Sequence, residues 1–207
     1  MHKEVLTKKA EVIFPKISKF NNFYLVGGTA LALQIGHRIS VDFDMFTYDE
    51  NISTLKLLQK VKHIFGRLNV FVALRTPDQL NVFIDGVRTT FFYYPYPVVG
   101  RLVKYQGVPM ITVMEIAAMK AFSIGKRLSY KDYVDWYFLL KEQHVAIKEV
   151  IALAEKKYGG DFNDRLFLEQ LASSKDVFDQ KIDFLRNPVD RQTVEDFLDN
   201  FIRNFKF

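Results

Sequence analysis

Apolar and polar positions in the first half of the chain switch repeatedly between helical and strand periods. Residues 4–20 space Val5, Val12, Ile13, Ile17 and Phe20 at three- and four-residue intervals, which predicts an amphipathic helix that Pro15 kinks or splits. Phe23-Tyr24-Leu25-Val26 is a short apolar run with strand character. Gly27-Gly28 stops it, Thr29 is placed to cap a helix over 30–35, and Gly36 ends that helix. Residues 41–46 alternate strictly, so a strand there turns Val41, Phe43 and Met45 to one face and Asp42 and Asp44 to the other. Ser53 is placed to cap a helix whose stripe is Ile52, Leu55, Leu58, Val61, Ile64 and Phe65. A strand follows over 70–74, then a turn at Pro77-Asp78, then a hairpin from 80–84 through Asp85-Gly86 to 87–92.

From Thr112 onward the pattern is helical only. Thr112-x-x-Glu115 reads as a capping box opening a helix to about residue 124, and Ser129-x-x-Asp132 as a second one opening 130–142. A third helix over 145–158 ends at Gly159-Gly160, and at least two more lie around Asn187-Pro188. The expected fold class is therefore α/β (α+β), with a mixed-sheet domain in residues 1–108 and a helical domain in 109–207. Neither an internal repeat nor a low-complexity tract is present.

Composition supports this picture and narrows the chemistry. Of the 207 residues 49% are hydrophobic, and 20 Phe with 10 Tyr are more than a surface tolerates, so most must be buried. Apolar runs fall short of the roughly 20 residues that cross a bilayer. Met1-His2-Lys3-Glu4 leads into Thr7-Lys8-Lys9 rather than an apolar signal core, so a cytoplasmic protein without membrane contact is expected. With no cysteine, any bound metal must sit on oxygen or imidazole. Charge is uneven: residues 1–108 carry 14 Lys and Arg against 8 Asp and Glu, a net of +6, whereas 109–207 carry 15 against 16, a net of −1. Positive charge around a carboxylate pair suits a polyanion with a divalent cation, and it is also what an ordinary solvated basic surface looks like.

Nucleotidyl transfer asks for divalent metal to neutralise phosphate charge, an in-line nucleophile, and fixed donors for the leaving pyrophosphate. Asp42 and Asp44 supply oxygen ligands one residue apart. Gly27 and Gly28 leave backbone N–H groups uncovered where a helix begins, a ready anion site. Each pattern alone has an ordinary reading, a tight turn and a solvated acidic pair. Their spacing, a glycine pair, one short helix, then Asp-x-Asp on the next strand, brings phosphate cradle and metal ligands to neighbouring strand ends. Arg38 either meets phosphate or orients Asp42. Ser40 either donates its hydroxyl to a phosphate or holds the turn, and His37 is either packed or at the site. Trp136 and Tyr93-Tyr94-Pro95-Tyr96 are either core or base-stacking surfaces.

The run 24–46, containing Gly27-Gly28-Thr29, His37-Arg38-Ile39-Ser40 and Asp42-Phe43-Asp44, resembles the first motif of the AbiEii-like nucleotidyltransferases. These are toxins of bacterial toxin–antitoxin systems within the DNA polymerase beta-like nucleotidyltransferase superfamily. Met119-Lys120-Ala121-Phe122 with Arg127 and Lys131-Asp132-Tyr133-Val134-Asp135 is similar to the family's second signature. The resemblance implies a polymerase beta-like domain with a mixed sheet followed by a helical domain, and an active site drawing on both. It implies a nucleoside triphosphate substrate with Mg2+ or Mn2+ on Asp42 and Asp44, and phosphate contacts from Gly27, Gly28, Thr29, Arg38, Ser40 and Lys120. Asp132 and Asp135 would complete the site or align Lys120. The acceptor it implies is RNA, such as the end of a tRNA, and the partner a cognate antitoxin. From spacing alone, Asp132 is a cap partner and Asp135 lies on an exposed helix face.

One departure stands out. A third metal carboxylate usually comes from a later strand, and Val87-Arg88-Thr89-Thr90-Phe91-Phe92 has none. Either two carboxylates suffice, or Asp85 or a helical Asp contributes, although Asp85-Gly86 reads as a hairpin turn. Two rival functions remain open: nucleotidyl transfer to a small molecule or a protein, and a non-catalytic RNA- or protein-binding module on the same fold.

Overall fold

Strict alternation at 43–47 fixes the centre of a seven-stranded sheet in the computed structural model, which describes residues 1–126, 129–174, 177–178 and 180–205. The strands are β1 (Tyr24–Val26), β2 (Phe43–Thr47), β3 (Val70–Arg75), β4 (Gln79–Ile84), β5 (Val87–Tyr93), β6 (Val103–Tyr105) and β7 (Val108–Met110). They run in the order β3-β4-β5-β2-β1-β7-β6. The pairs β2/β5 and β1/β7 are parallel and the rest antiparallel, so the sheet is mixed. Two contact-defined units result, Met1–Thr112 and Val113–Phe207. Pro109 lies within β7, and the pairing of Met110 with Leu25 of β1 keeps this segment in the first unit.

Helices α1 (Lys8–Ile17), α2 (Gly27–Ile35) and α3 (Thr54–Phe65) complete the first unit. One face of the sheet is sealed: Phe43, Met45, Leu80, Val82, Ile84, Thr89 and Phe91 are fully buried. Phe14 of α1 lies 5.8 Å from Phe43, and Phe20 lies 4.7 Å from Phe91 and 6.4 Å from Phe65 of α3, ring centre to ring centre. Burial of each such ring is worth roughly 1.5–3 kcal/mol, which makes this aromatic layer the main support of the unit.

Several local expectations shift. The amphipathic stretch at 4–20 is a one-turn 3-10 helix (Lys3–Val5) and then α1, capped by the Thr7 side chain on the Ala10 N–H, with Pro15 accommodated inside. Val12 lies on the solvent side. In α3 the buried stripe is Leu57, Val61 and Phe65, and Leu55 is exposed. The apolar residues of that helix cover more than one face, so their spacing did not select the buried one. Helix α2 begins at Gly27, earlier than expected, and ends at Gly36 in the left-handed conformation. Strand β2 begins at Phe43, which leaves Val41 outside it and exposed. The β6–β7 hairpin turns through Gln106-Gly107, both with positive φ, and the hydrophobic pattern gave no sign of it.

The second unit is helical: α4 (Val113–Ser123), α5 (Tyr130–Lys141), α6 (Ile147–Tyr158), α7 (Asp164–Ala172) and α8 (Arg191–Arg203). Trp136 is its fully buried centre, 5.1 Å from the Phe167 ring. Glu115 of α4 is also fully buried and accepts from the Lys157 ammonium of α6 at 2.8 Å. No helix among the described residues is long and apolar enough to cross a membrane.

Candidate active site

Antiparallel pairing of β1 with β2 sets Val26 opposite Asp44, so the chain leaves β1 directly beside the Asp44 carboxylate. Gly27 turns there with φ +71°, and a Cβ at this position would stand 2.7 Å from Asp44 Oδ2. At Gly28 a Cβ would stand 2.6 Å from Arg38 Nη2 and 3.4 Å from Ser40 Oγ. The glycine pair thus lets a carboxylate and a guanidinium close onto the backbone together. Gly27 is also the first residue of α2, and its N-cap, Val26, has no side-chain group to offer. The positive end of α2 therefore lies at the glycine pair, beside the Asp44 carboxylate.

Thr29 does not cap α2. It is 2% exposed, and its hydroxyl donates to the Asp42 carbonyl while lying 2.8 Å from Ser40 Oγ. Proton counting then fixes the second contact. Thr29 has one proton and gives it to a carbonyl that can only accept, so the Ser40 hydroxyl donates to Thr29. Both hydroxyl protons are thereby engaged within the protein, along a relay that ends at the Asp42 backbone. The Ser40 N–H donates to the Val5 carbonyl at 3.1 Å, holding the turn before β2. Arg38 is 4% exposed and donates from Nη1 to the Ile39 carbonyl at 3.1 Å. His37 is fully buried, consistent with packing. Asp42 lies exposed one residue ahead of β2 rather than in the strand, and Asp44 is half-buried within it.

In the second unit Lys120 of α4 lies 2.6 Å from both Asp132 Oδ1 and Asp135 Oδ2 of α5. All three residues are buried, Asp135 completely. The exposed-face reading of Asp135 fails, since Asp135 is fully buried, and the Asp132 carboxylate pairs with Lys120 while the Ser129 side chain makes no cap. The buried ammonium has drawn both carboxylates inward, because a charge in the interior needs partners. Arg127 lies outside the described residues.

Strand β5 sets Thr90 opposite Asp44, and Asn81 of β4 lies opposite Thr90; both are nearly buried polar residues. Among the described residues no group of three or more His, Asp or Glu side chains is arranged to hold a metal ion. Asp85 sits in the β4–β5 turn with φ 49° and pairs with Lys9 at 3.5 Å. Trp136 is core, whereas Tyr94 is half-buried with its ring 5.2 Å from Phe46 and 5.4 Å from Tyr96. Thr90, Asn81 and the Glu115–Lys157 pair were not singled out from the sequence. A polar residue at an alternate position in an apolar strand was the available signal for the first two.

Residues 12–99, which contain both glycines and both aspartates, match the model of the nucleotidyl transferase AbiEii toxin family, of type IV toxin–antitoxin systems. An uncharacterized protein of Aquifex aeolicus (strain VF5) is 35% identical over 144 residues, 67% of this chain and 67% of that protein. Among solved structures, the nucleotidyltransferase toxin MenT4 from Mycobacterium tuberculosis is similar with a TM-score of 0.62 at 16% identity, over 94% of this chain and 83% of that one. JHP933 from Helicobacter pylori is similar with a TM-score of 0.53 at 14% identity, over 98% and 95%. These two likenesses speak to the fold, and they agree with the mixed sheet and following helices seen here. The chain is a nucleotidyltransferase and belongs to the AbiEii toxin family.

Proposed function

We propose that this nucleotidyltransferase moves a nucleotidyl group from a nucleoside triphosphate to a hydroxyl on RNA, such as the end of a tRNA, and that a cognate antitoxin restrains it. The observation that carries the reading is the convergence at the start of α2, where the positive end of the helix, the Arg38 guanidinium and the Asp44 carboxylate meet across two glycines, with Asp42 two residues before Asp44. In the reaction the acceptor oxygen forms a bond to the α-phosphorus. The bond from that phosphorus to the bridging oxygen breaks, pyrophosphate leaves, and the hydroxyl proton is released.

The pair Asp42 and Asp44 fits Mg2+ or Mn2+, hard cations that take oxygen ligands and accept as few as one or two protein carboxylates when substrate phosphates complete the shell. Bound there, the cation would neutralise phosphate charge as it develops. Gly27 and Gly28 would hold phosphate oxygens through backbone N–H groups, and Arg38 would add charge beside them. Thr29 and Ser40 would act by fixing the Asp42 backbone, since their protons are already engaged. Lys120 would meet the nucleotide phosphates, oriented by Asp132 and Asp135. The two-carboxylate set is also what favours a second reading, a module that binds without catalysing.

The two readings separate in one assay. The purified protein is incubated with each labelled nucleoside triphosphate, Mg2+ or Mn2+, and total RNA, alongside Asp44→Ala. Label should pass to RNA with the unaltered protein, and the variant should be slower by several orders of magnitude, the usual size of metal-ion effects. Absence of transfer to RNA, protein or small molecules with either metal would leave the binding module.

A further inference from the structure

The face of the sheet that carries Asp44 is not sealed like the other. Register places Arg88 of β5, Phe83 of β4 and Phe71 of β3 side by side on it, in one row across the strands. Asp44, Thr90 and Asn81 form the adjoining row on that same face. Arg88 is exposed, Phe83 is half-buried, and Phe71 is 61% exposed with its ring 6.3 Å from that of Phe83. Three strand spacings separate β2 from β3, about 14 Å. A cation followed by two aromatic surfaces thus leads away from the carboxylates.

We infer that this row is a track for single-stranded RNA, holding the nucleotides that precede the accepting end. The inference rests on the proposed nucleotidyl transfer to RNA. Arg88 would meet a backbone phosphate, and Phe83 and Phe71 would stack on successive bases, which needs no particular base because every base has a π-face. Complementary charge supports this occupant: residues 1–108 carry a net +6, and Arg88 is the charge in the row. A protein strand adding to the β3 edge is the less suited occupant. The register shifts between Val72 and Leu74, and such an irregularity interrupts the ladder an added strand would extend.

Fluorescence anisotropy with a labelled octaribonucleotide and a labelled dinucleotide tests the track without requiring turnover. Phe71→Ala and Arg88→Gln should each weaken octanucleotide binding about tenfold, the size of losing one base stack or one phosphate contact. Arg88→Gln should also lower the salt dependence of binding by about one phosphate's share. The dinucleotide is too short to reach β3, so Phe71→Ala should leave its binding unchanged. Leu55→Ala, an exposed apolar residue on α3, controls for general loss of surface hydrophobicity. Unchanged octanucleotide binding in Phe71→Ala overturns the track, as does equal weakening for both lengths. Transfer to another acceptor without RNA binding refutes the track and keeps nucleotidyl transfer; RNA binding along the row without transfer to any acceptor does the reverse.

Discussion

Replacing Lys120 by Met removes the ammonium that bridges two buried carboxylates while nearly keeping the side chain's volume. The Lys120 ammonium is 2.6 Å from each aspartate, and the side chains of Lys120, Asp132 and Asp135 are 4%, 5% and 0% exposed. Taking away one partner of a buried pair leaves the other charged and unsolvated, at a cost of about 3–5 kcal/mol. Here two carboxylates lose the same ammonium at once. Against a typical domain stability of about 5–15 kcal/mol, this is a large fraction of what holds a unit folded. The chain has a single tryptophan, Trp136, fully buried in α5 beside Asp135, so urea unfolding followed by tryptophan fluorescence reports on the second unit. Lys120→Met should lower its unfolding free energy by about 3–5 kcal/mol. Lys120→Met with Asp132→Leu and Asp135→Leu should recover most of that loss, because apolar replacements of buried ion clusters are often neutral. A single variant within about 1 kcal/mol of the unaltered protein would refute the reasoning, as would a triple variant no more stable than the single one. The triple variant also isolates chemistry from folding: if it is folded and transfers nucleotide at the unaltered rate, Lys120 serves the fold alone.

Gly27→Ala adds a methyl group 2.7 Å from Asp44 Oδ2 at a backbone with φ +71°. The strained conformation costs about 1 kcal/mol. Displacement of the carboxylate should do more harm to turnover than to the urea midpoint, and comparing the two measurements checks it. A second consequence concerns Glu142, whose carboxyl is held below its ordinary value chiefly by hydrogen bonds from Arg186, against opposing burial and with help from His144. A depressed folded value means the carboxylate contributes stability above its ordinary range, and that contribution is lost as pH falls through the folded value. Unfolding free energies measured from neutral pH down below 4.5 should therefore fall less steeply in Glu142→Gln than in the unaltered protein; parallel curves would contradict the assignment.

What the sequence made legible was local. The run from β1 through Gly27-Gly28 to α2, and the alternation of β2, depend on neighbours a few residues away, so period and glycine placement sufficed. Where two local choices competed, the pattern failed. Leu55 and Leu57 fit different stripes of α3, and the folded protein buries Leu57 with Val61 and Phe65, on the stripe whose Phe65 stacks with Phe20. Thr29 was a credible cap until folding brought the Asp42 carbonyl to its hydroxyl. Asp135 looked solvated because nothing nearby in sequence announces that Lys120, on the preceding helix, is buried. Strand order was invisible for the same reason, and with it the row of Arg88, Phe83 and Phe71.

The parallel pairing of β1 with β7 bears on when the protein becomes active during synthesis. Leu25 of β1 pairs with Met110, so the strand that delivers Gly27 to Asp44 lacks its flanking neighbour until more than half the chain has been made. Non-local pairings of this kind form late because a long loop must close before the contact returns any stability. A nascent chain carrying both aspartates and both glycines would thus hold an unfinished site, and an enzyme of a toxin family would be assembled only as its helical second unit begins to emerge.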